Sequence, residues 1–392
     1  MAAVTFLSSR ERIARPFAFA PGFAMLAALV AAAPAGAQTV TSIEADLGVI
    51  ASDNPFLLDG GDTEALALEF AVRPELRLQP GPTTFVEIDG EAAYRRYLRR
   101  YGDFVTGHAD AVVRHRASDF LSADARLSYA RELPIDALTD SIDFAVDPNS
   151  VRQRISGRTT ATLTVSARDR MTLGAGFDRI RYARPSPLSS TRSWHVDAEW
   201  TRRLTERLRA GLMATATNTN ISGVGNLSGI GVRAVAEYRF SSTLEARGQL
   251  GVEWTRYQIT DGQRRARLSG SGNVCYRPQR IEACVTASLQ NEVSGIGGLQ
   301  RETFVGGTFR YRINESSSVT ALGEYRAADL TGPVIAAART NATRLGAGYE
   351  RRISQRLTLT GNVDYLRRAY LSGNRADGFA VRIGVTLTGD RR

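Results

Sequence analysis

The chain has 392 residues, a formal net charge of +10 from 50 basic and 40 acidic side chains, 43% apolar residues and a mean hydropathy of −0.20. That composition describes a folded protein and excludes a disordered one. No lysine occurs, so all 50 basic residues are arginine, and three His and two Cys leave little for a metal centre; neither a metal nor a cofactor is expected.

Residues 1–37 read as a cleaved export signal. Arg10, Arg12 and Arg15 precede an uncharged, Ala-rich stretch from Phe17 to Ala35, and Ala35, Gly36 and Ala37 give small residues before Gln38. The remainder, 38–392, reads as one domain. It holds no second run of eighteen apolar residues, so a helical membrane protein is excluded.

Period-two alternation follows almost everywhere. Leu66, Leu68, Phe70 and Val72 alternate with Glu69, Arg73 and neighbouring polar positions, and Trp194, Val196, Ala198 and Trp200 alternate with His195, Asp197 and Glu199. The same pattern runs through Leu244 to Trp254 and Phe379 to Leu387. Candidate strands lie at 41–50, 66–78, 84–95, 104–116, 119–132, 152–166, 171–182, 192–203, 206–217, 228–240, 243–257, 264–276, 280–293, 301–312, 317–327, 341–352, 356–367 and 377–388. That is eighteen strands, with sixteen as the alternative, because Pro74 on a ladder position suggests a bulge. Strands of this length fit a bilayer crossing better than a soluble sandwich. The expected fold is an all-β, up-and-down antiparallel transmembrane barrel with short periplasmic turns and longer outside loops.

Short and long connections alternate, which places both chain ends on the short-turn side. An aromatic followed by arginines, a polar turn and a new strand recurs at Trp200, Tyr238, Tyr276, Tyr311 and Tyr349, at spacings of 38, 38, 35 and 38 residues. By parity all five lie on the apolar face, where a membrane-interface girdle of aromatics is expected. Cys275 and Cys284 flank one such turn on the polar face; a disulfide is the leading reading in an oxidising compartment, inert thiols the other.

The same parity assigns pore-lining residues. Arg73, Arg77, Arg114, Arg126, Arg158 and Arg209 face inward, as do Arg233, Arg247, Arg265, Arg267, Arg310 and Arg344, in company with Glu87, Glu199 and Glu245. Side chains of both signs can lace across neighbouring strands, and the arginine excess favours anions in an open pore; lacing is placed ahead of selectivity. No long inward-folding constriction loop is obvious, although residues 133–151, with Asp136, Asp140, Asp143 and Asp147, could serve. No enzyme is expected. His108 and His115 fall on opposite faces of one strand, and no nucleophile with its base is evident. Gly223, Gly225, Gly229 and Gly231 do not open a helix, so a dinucleotide-binding loop is excluded on context.

Ser52, Asp53, Asn54, Pro55 and Phe56, the strand with Val72, Arg73, Pro74, Glu75 and Leu76, and the unit Gly348, Tyr349, Glu350, Arg351 and Arg352 resemble the β-barrel porin 2 type of proteobacterial outer-membrane proteins. The last strand departs from the usual insertion signal: Val385, Thr386, Leu387 and Thr388 lead into Gly389 without a terminal aromatic, Phe379 lying earlier. The resemblance implies a Gram-negative outer-membrane barrel associated with exopolysaccharide export. The expected function is a conduit for an acidic exopolysaccharide or for anionic solutes; a plugged structural or assembly barrel and a general diffusion porin are the alternatives. Expected partners are outer-membrane lipid and lipopolysaccharide, the barrel-assembly machinery and periplasmic polysaccharide-export components, with no nucleic acid.

Overall fold

A computed structural model describes residues 38–60, 63–133, 135–136, 151–183, 188–257, 264–293, 299–331, 338–370 and 373–389. Residues 1–37, and with them the expected signal, lie outside the described residues, as does most of 133–151.

The alternating residues form eighteen antiparallel strands. In chain order they are β1 (Gln38–Ser52), β2 (Ala65–Gly81), β3 (Thr84–Tyr97), β4 (Asp103–Arg116), β5 (Leu121–Glu132) and β6 (Arg152–Thr164). Next come β7 (Asp169–Tyr182), β8 (Thr191–Arg203), β9 (Leu208–Ile221), β10 (Gly225–Arg239), β11 (Leu244–Tyr257) and β12 (Arg264–Tyr276). The last are β13 (Ile281–Val293), β14 (Leu299–Asn314), β15 (Ser317–Thr331), β16 (Ala338–Arg352), β17 (Leu357–Ala369) and β18 (Arg375–Thr388). Each strand pairs with its chain neighbours, and β1 pairs with β18, so the sheet closes and has no edge. Strands of 12 to 17 residues exceed the roughly ten that a tilted strand needs to cross a bilayer.

The two faces follow from the period of two. Leu47, Phe70, Leu173, Val196, Leu212, Leu250, Leu345 and Ile383 are exposed on the outside, a continuous apolar belt that only lipid can cover. The inward positions carry the charges. A closed barrel satisfies every ladder hydrogen bond without water, which is why this architecture spans the outer membrane.

Three details differ from the sequence reading. Pro74 causes no bulge: Val72 pairs with Ala92 and Glu75 with Asp89 in one unbroken register, and the ladder to β3 omits the two residues between. A proline lacks the donor for that bond but leaves spacing intact. The register shift falls later, between Leu78 and Gly81. β9 and β10 run longer than the apolar pattern, leaving Ser222–Val224 as their whole connection on the long-loop side. Their ends, Asn218, Asn220 and Asn226, are polar on the outward face, so the contrast between faces fades before the ladder does. Finally, an inward loop exists where none was read: residues 53–60, between β1 and β2, fold into the barrel.

Candidate functional site: the barrel lumen

The inward loop closes on a core of its own. Phe56 and Leu57 are fully buried and pack with Ala67, Tyr97, Leu133, Ile135, Ala342 and Ala376. Ala67, Tyr97, Ala342 and Ala376 share their strand faces with Glu69, Arg95, Arg344 and Arg382, so this apolar cluster lies inside the lumen, at the long-loop end. The Phe56 ring sits 4.6 Å from Tyr101, 5.5 Å from Tyr97 and 5.6 Å from Phe104, centroid to centroid.

Polar contacts pin the loop. Asn54 Nδ2 donates to the carbonyls of Leu58 at 3.0 Å and Asp377 at 3.2 Å, while Asn54 Oδ1 accepts from the Leu58 amide at 2.9 Å. Tyr370 donates its hydroxyl to the Leu57 carbonyl and accepts from Arg368 at 2.6 Å. Leu57 itself has φ of 48°, a conformation that costs a non-glycine side chain about 1 kcal/mol or more. The signal for this loop was in the sequence: Phe56, Leu57 and Leu58 form an apolar run where a solvated loop would be polar. Of residues 133–151, Leu133 and Ile135 join the same cluster and Asp136 pairs with Arg95 at 3.1 Å.

Below the loop the wall is laced. Cross-strand neighbours one or two strands apart bring opposite charges together: Arg73 to Glu91 at 2.6 Å, Arg77 to Glu87 at 3.0 Å, Arg126 to Asp110 at 2.6 Å, and Arg344 to Asp364 at 3.1 Å. Further round the wall Arg158 reaches Asp197 at 2.8 Å and the His195 ring at 3.1 Å, Arg247 reaches Glu199 at 3.2 Å, and Arg233 reaches Glu253 at 3.5 Å. Arg114 stands 4.0 Å from Asp124, and Glu245 is held at 2.6 Å by Arg277 from the adjoining turn.

Other lumen arginines have no carboxylate within 4 Å among the described residues. Among them are Arg170 on β7, Arg203 on β8, Arg209 on β9, Arg265 on β12 and Arg310 on β14. Arg203 and Arg209 stand directly opposite in register, a repelling arrangement, with Glu237 opposite Arg209 on the other neighbouring strand. Arg170 and Arg209 line a hollow of about 510 Å³ with Arg158, Arg247, Asp197 and Glu199. A second hollow of about 400 Å³ lies beneath the inward loop, against Glu69, Glu91, Arg95, His108 and Arg382. Arg310 lines a third, of about 640 Å³, with Glu282, Thr308 and Asn362. The ligating atoms of Asp89, His108 and Asp110 lie within 4.8 Å of one another. Asp110 already accepts from Arg126 and from Ser128 at 2.5 Å, in each case at Oδ1.

The residues assigned inward by parity share strand faces with the ion-paired positions of the wall, Arg265 standing opposite Thr255 and Arg310 opposite Glu282 in register. Trp200, Tyr238, Tyr276, Tyr311 and Tyr349 are exposed on the outer face at the short-turn end. Cys275 and Cys284 are register partners on β12 and β13, with Cα atoms 4.1 Å apart, and their sulfurs are bonded.

No family model matches the chain, and no curated protein matches it. Solved structures do. OccAB2 of Acinetobacter baumannii aligns over 90% of this chain and 98% of its own at 9% identity and a TM-score of 0.45. OccK1 (OpdK) of Pseudomonas aeruginosa aligns over the same shares at 13% identity and 0.46. OccK2 (OpdF) of P. aeruginosa, solved in complex with glucuronate, aligns over 90% and 98% at 13% identity and 0.47. The barrel assignment stands on the closed strand ladder described above.

Proposed function

We propose that this barrel is an outer-membrane conduit for anionic solutes. The observation that carries the reading is the set of lumen arginines that make no ion pair within 4 Å among the described residues, above all Arg170 and Arg209 on one hollow and Arg203 opposite Arg209. Paired charges rigidify a wall, whereas unpaired guanidinium groups offer a carboxylate or phosphate repeated, exchangeable contacts. The resemblance to the porin 2 group extends the reading to an acidic exopolysaccharide as cargo, passed along the same arginines. Trp200, Tyr238, Tyr276, Tyr311 and Tyr349 would then mark the periplasmic headgroup level.

Conductance of the refolded chain in a planar bilayer under a salt gradient tests this. Anion selectivity that drops in the Arg170→Gln/Arg209→Gln variant supports the conduit; cation selectivity, or selectivity untouched by that variant, overturns it. The inward loop favours a second reading, a barrel closed at rest. In that case the wild-type chain is silent and loosening the loop brings conductance.

A further inference from the structure

The outer rim on the long-loop side carries a second set of arginines that the conduit does not use. Outward positions are those sharing a face with Trp194, Leu212 and Ile230. On one side of the barrel four outward rim arginines face aspartates, while Arg375 stands opposite Ala369. Arg96 is paired with Asp103 at 3.9 Å and Arg339 with Asp329 at 3.6 Å. Arg301 stands opposite Asp329 and Arg367 opposite Asp377 in register.

From β5 to β11 the pattern breaks. Arg131, Arg179, Arg181, Arg192 and Arg256 point outward at this height, and among the described residues no acidic side chain joins them there. Arg179 and Arg192 are direct register partners, two like charges opposite one another with no acidic side chain paired to either among the described residues, a destabilising arrangement on a sheet face. The gaps are filled by neutral donors: Gln153 lies between Arg131 and Arg181 in the ladder, and Asn220 next to Arg192, hydrogen-bonded to Asn226 at 2.6 Å. One row closer to the membrane centre, Phe177 and Trp194 pack at 5.5 Å, and Trp254 precedes Arg256 on the same face. Aromatic rings end where a headgroup layer begins.

We infer that the rim of β5–β11 binds the phosphorylated saccharide headgroup of a glycolipid in the outer leaflet. Arg179 and Arg192 take the phosphate, Gln153 and Asn220 take sugar hydroxyls, and Phe177 and Trp194 lie against the acyl chains. The arginines that already face aspartates do not take part. This half-ring would fix which side of the barrel carries ordered glycolipid.

Trp194 lies within the surface, so its fluorescence reports occupancy. The folded full barrel in neutral detergent is titrated with bis-phosphorylated lipid A, with the same lipid after dephosphorylation, and with inorganic phosphate. Saturable binding of lipid A is expected, about tenfold weaker for the dephosphorylated lipid and for the Arg179→Gln/Arg192→Gln variant, a loss equivalent to roughly 1.4 kcal/mol. Arg339→Gln, on the paired side, should bind as the wild type does. Undiminished affinity in the double variant, equal affinity for the dephosphorylated lipid, or saturation by inorganic phosphate at the same concentration as lipid A would overturn the proposal. Should the double variant fold poorly, Arg192→Gln alone replaces it, with the same expectation and the same overturning results.

Discussion

Phe56 illustrates how one side chain governs the long-loop end of the lumen. It contacts three aromatic rings of the β3–β4 hairpin and has no solvent exposure. Truncating such a ring costs on the order of 3–5 kcal/mol, more than a short loop with few other apolar anchors can absorb. Phe56→Ala should therefore release residues 53–60 while leaving the barrel intact, and single-channel recordings should show larger or newly appearing openings. Gly378 gives an independent route to the same end: a Cβ there would lie 2.6 Å from the Asn54 carbonyl oxygen. Gly378→Ala should displace the loop from β18 and mimic Phe56→Ala in conductance, with far-ultraviolet circular dichroism unchanged. At this scale the sequence was half legible. Period two assigns Arg158 and Asp197 to the lumen, yet they sit 39 residues apart and meet across two strands; only the register, which sequence spacing does not specify, makes them partners. Phe56 carries no parity signal, because it lies between strands where no alternation assigns a face.

Among the elements, the seam between β12 and β13 stands apart. Among the described residues it holds seven register pairs, fewer than the nine that close β1 on β18 and fewer than any other seam. All seven lie at the short-turn end, and the Cys275–Cys284 bond sits among them. The disulfide thus staples the least-paired joint of the wall. Closing a loop of about ten residues is worth roughly 2–3 kcal/mol by the chain-entropy argument. Reduction, or Cys275→Ser/Cys284→Ser, should lower the unfolding midpoint accordingly and raise amide exchange first on β12 and β13; uniform loss of protection around the barrel would contradict this. The strand count was legible because lipid on one side and water on the other enforce alternation at every position. Strand ends were less so, since β9 and β10 leave the apolar layer before they stop pairing.

For the whole molecule, closure is the decisive step, and a single carboxylate ties it. Asp46 on β1 is 2% exposed, accepts from Arg382 and from Thr386 at 2.7 Å, both on β18, and lies 3.9 Å from Arg73 on β2. Removing its charge leaves Arg382 with Glu69 alone, at 3.1 Å. Breaking one partner of such a buried pair costs about 3 kcal/mol or more. Asp46→Asn should shift the temperature at which the compact, unboiled band gives way to the unfolded band on electrophoresis, while Arg114→Gln, at a loose 4.0 Å contact, should not.

The three-residue connection Ser222–Val224 has a practical consequence. It is stitched to its surroundings by Val224 donating to the Ile221 carbonyl at 3.1 Å and Ser222 donating to that of Ser190 at 3.0 Å. A spin label or fluorophore attached at exposed Ser222 would ride on the wall itself instead of on a tether. Distances from that survey mark to a second label on residues 53–60 would then report loop movement directly, with the barrel as a fixed ruler.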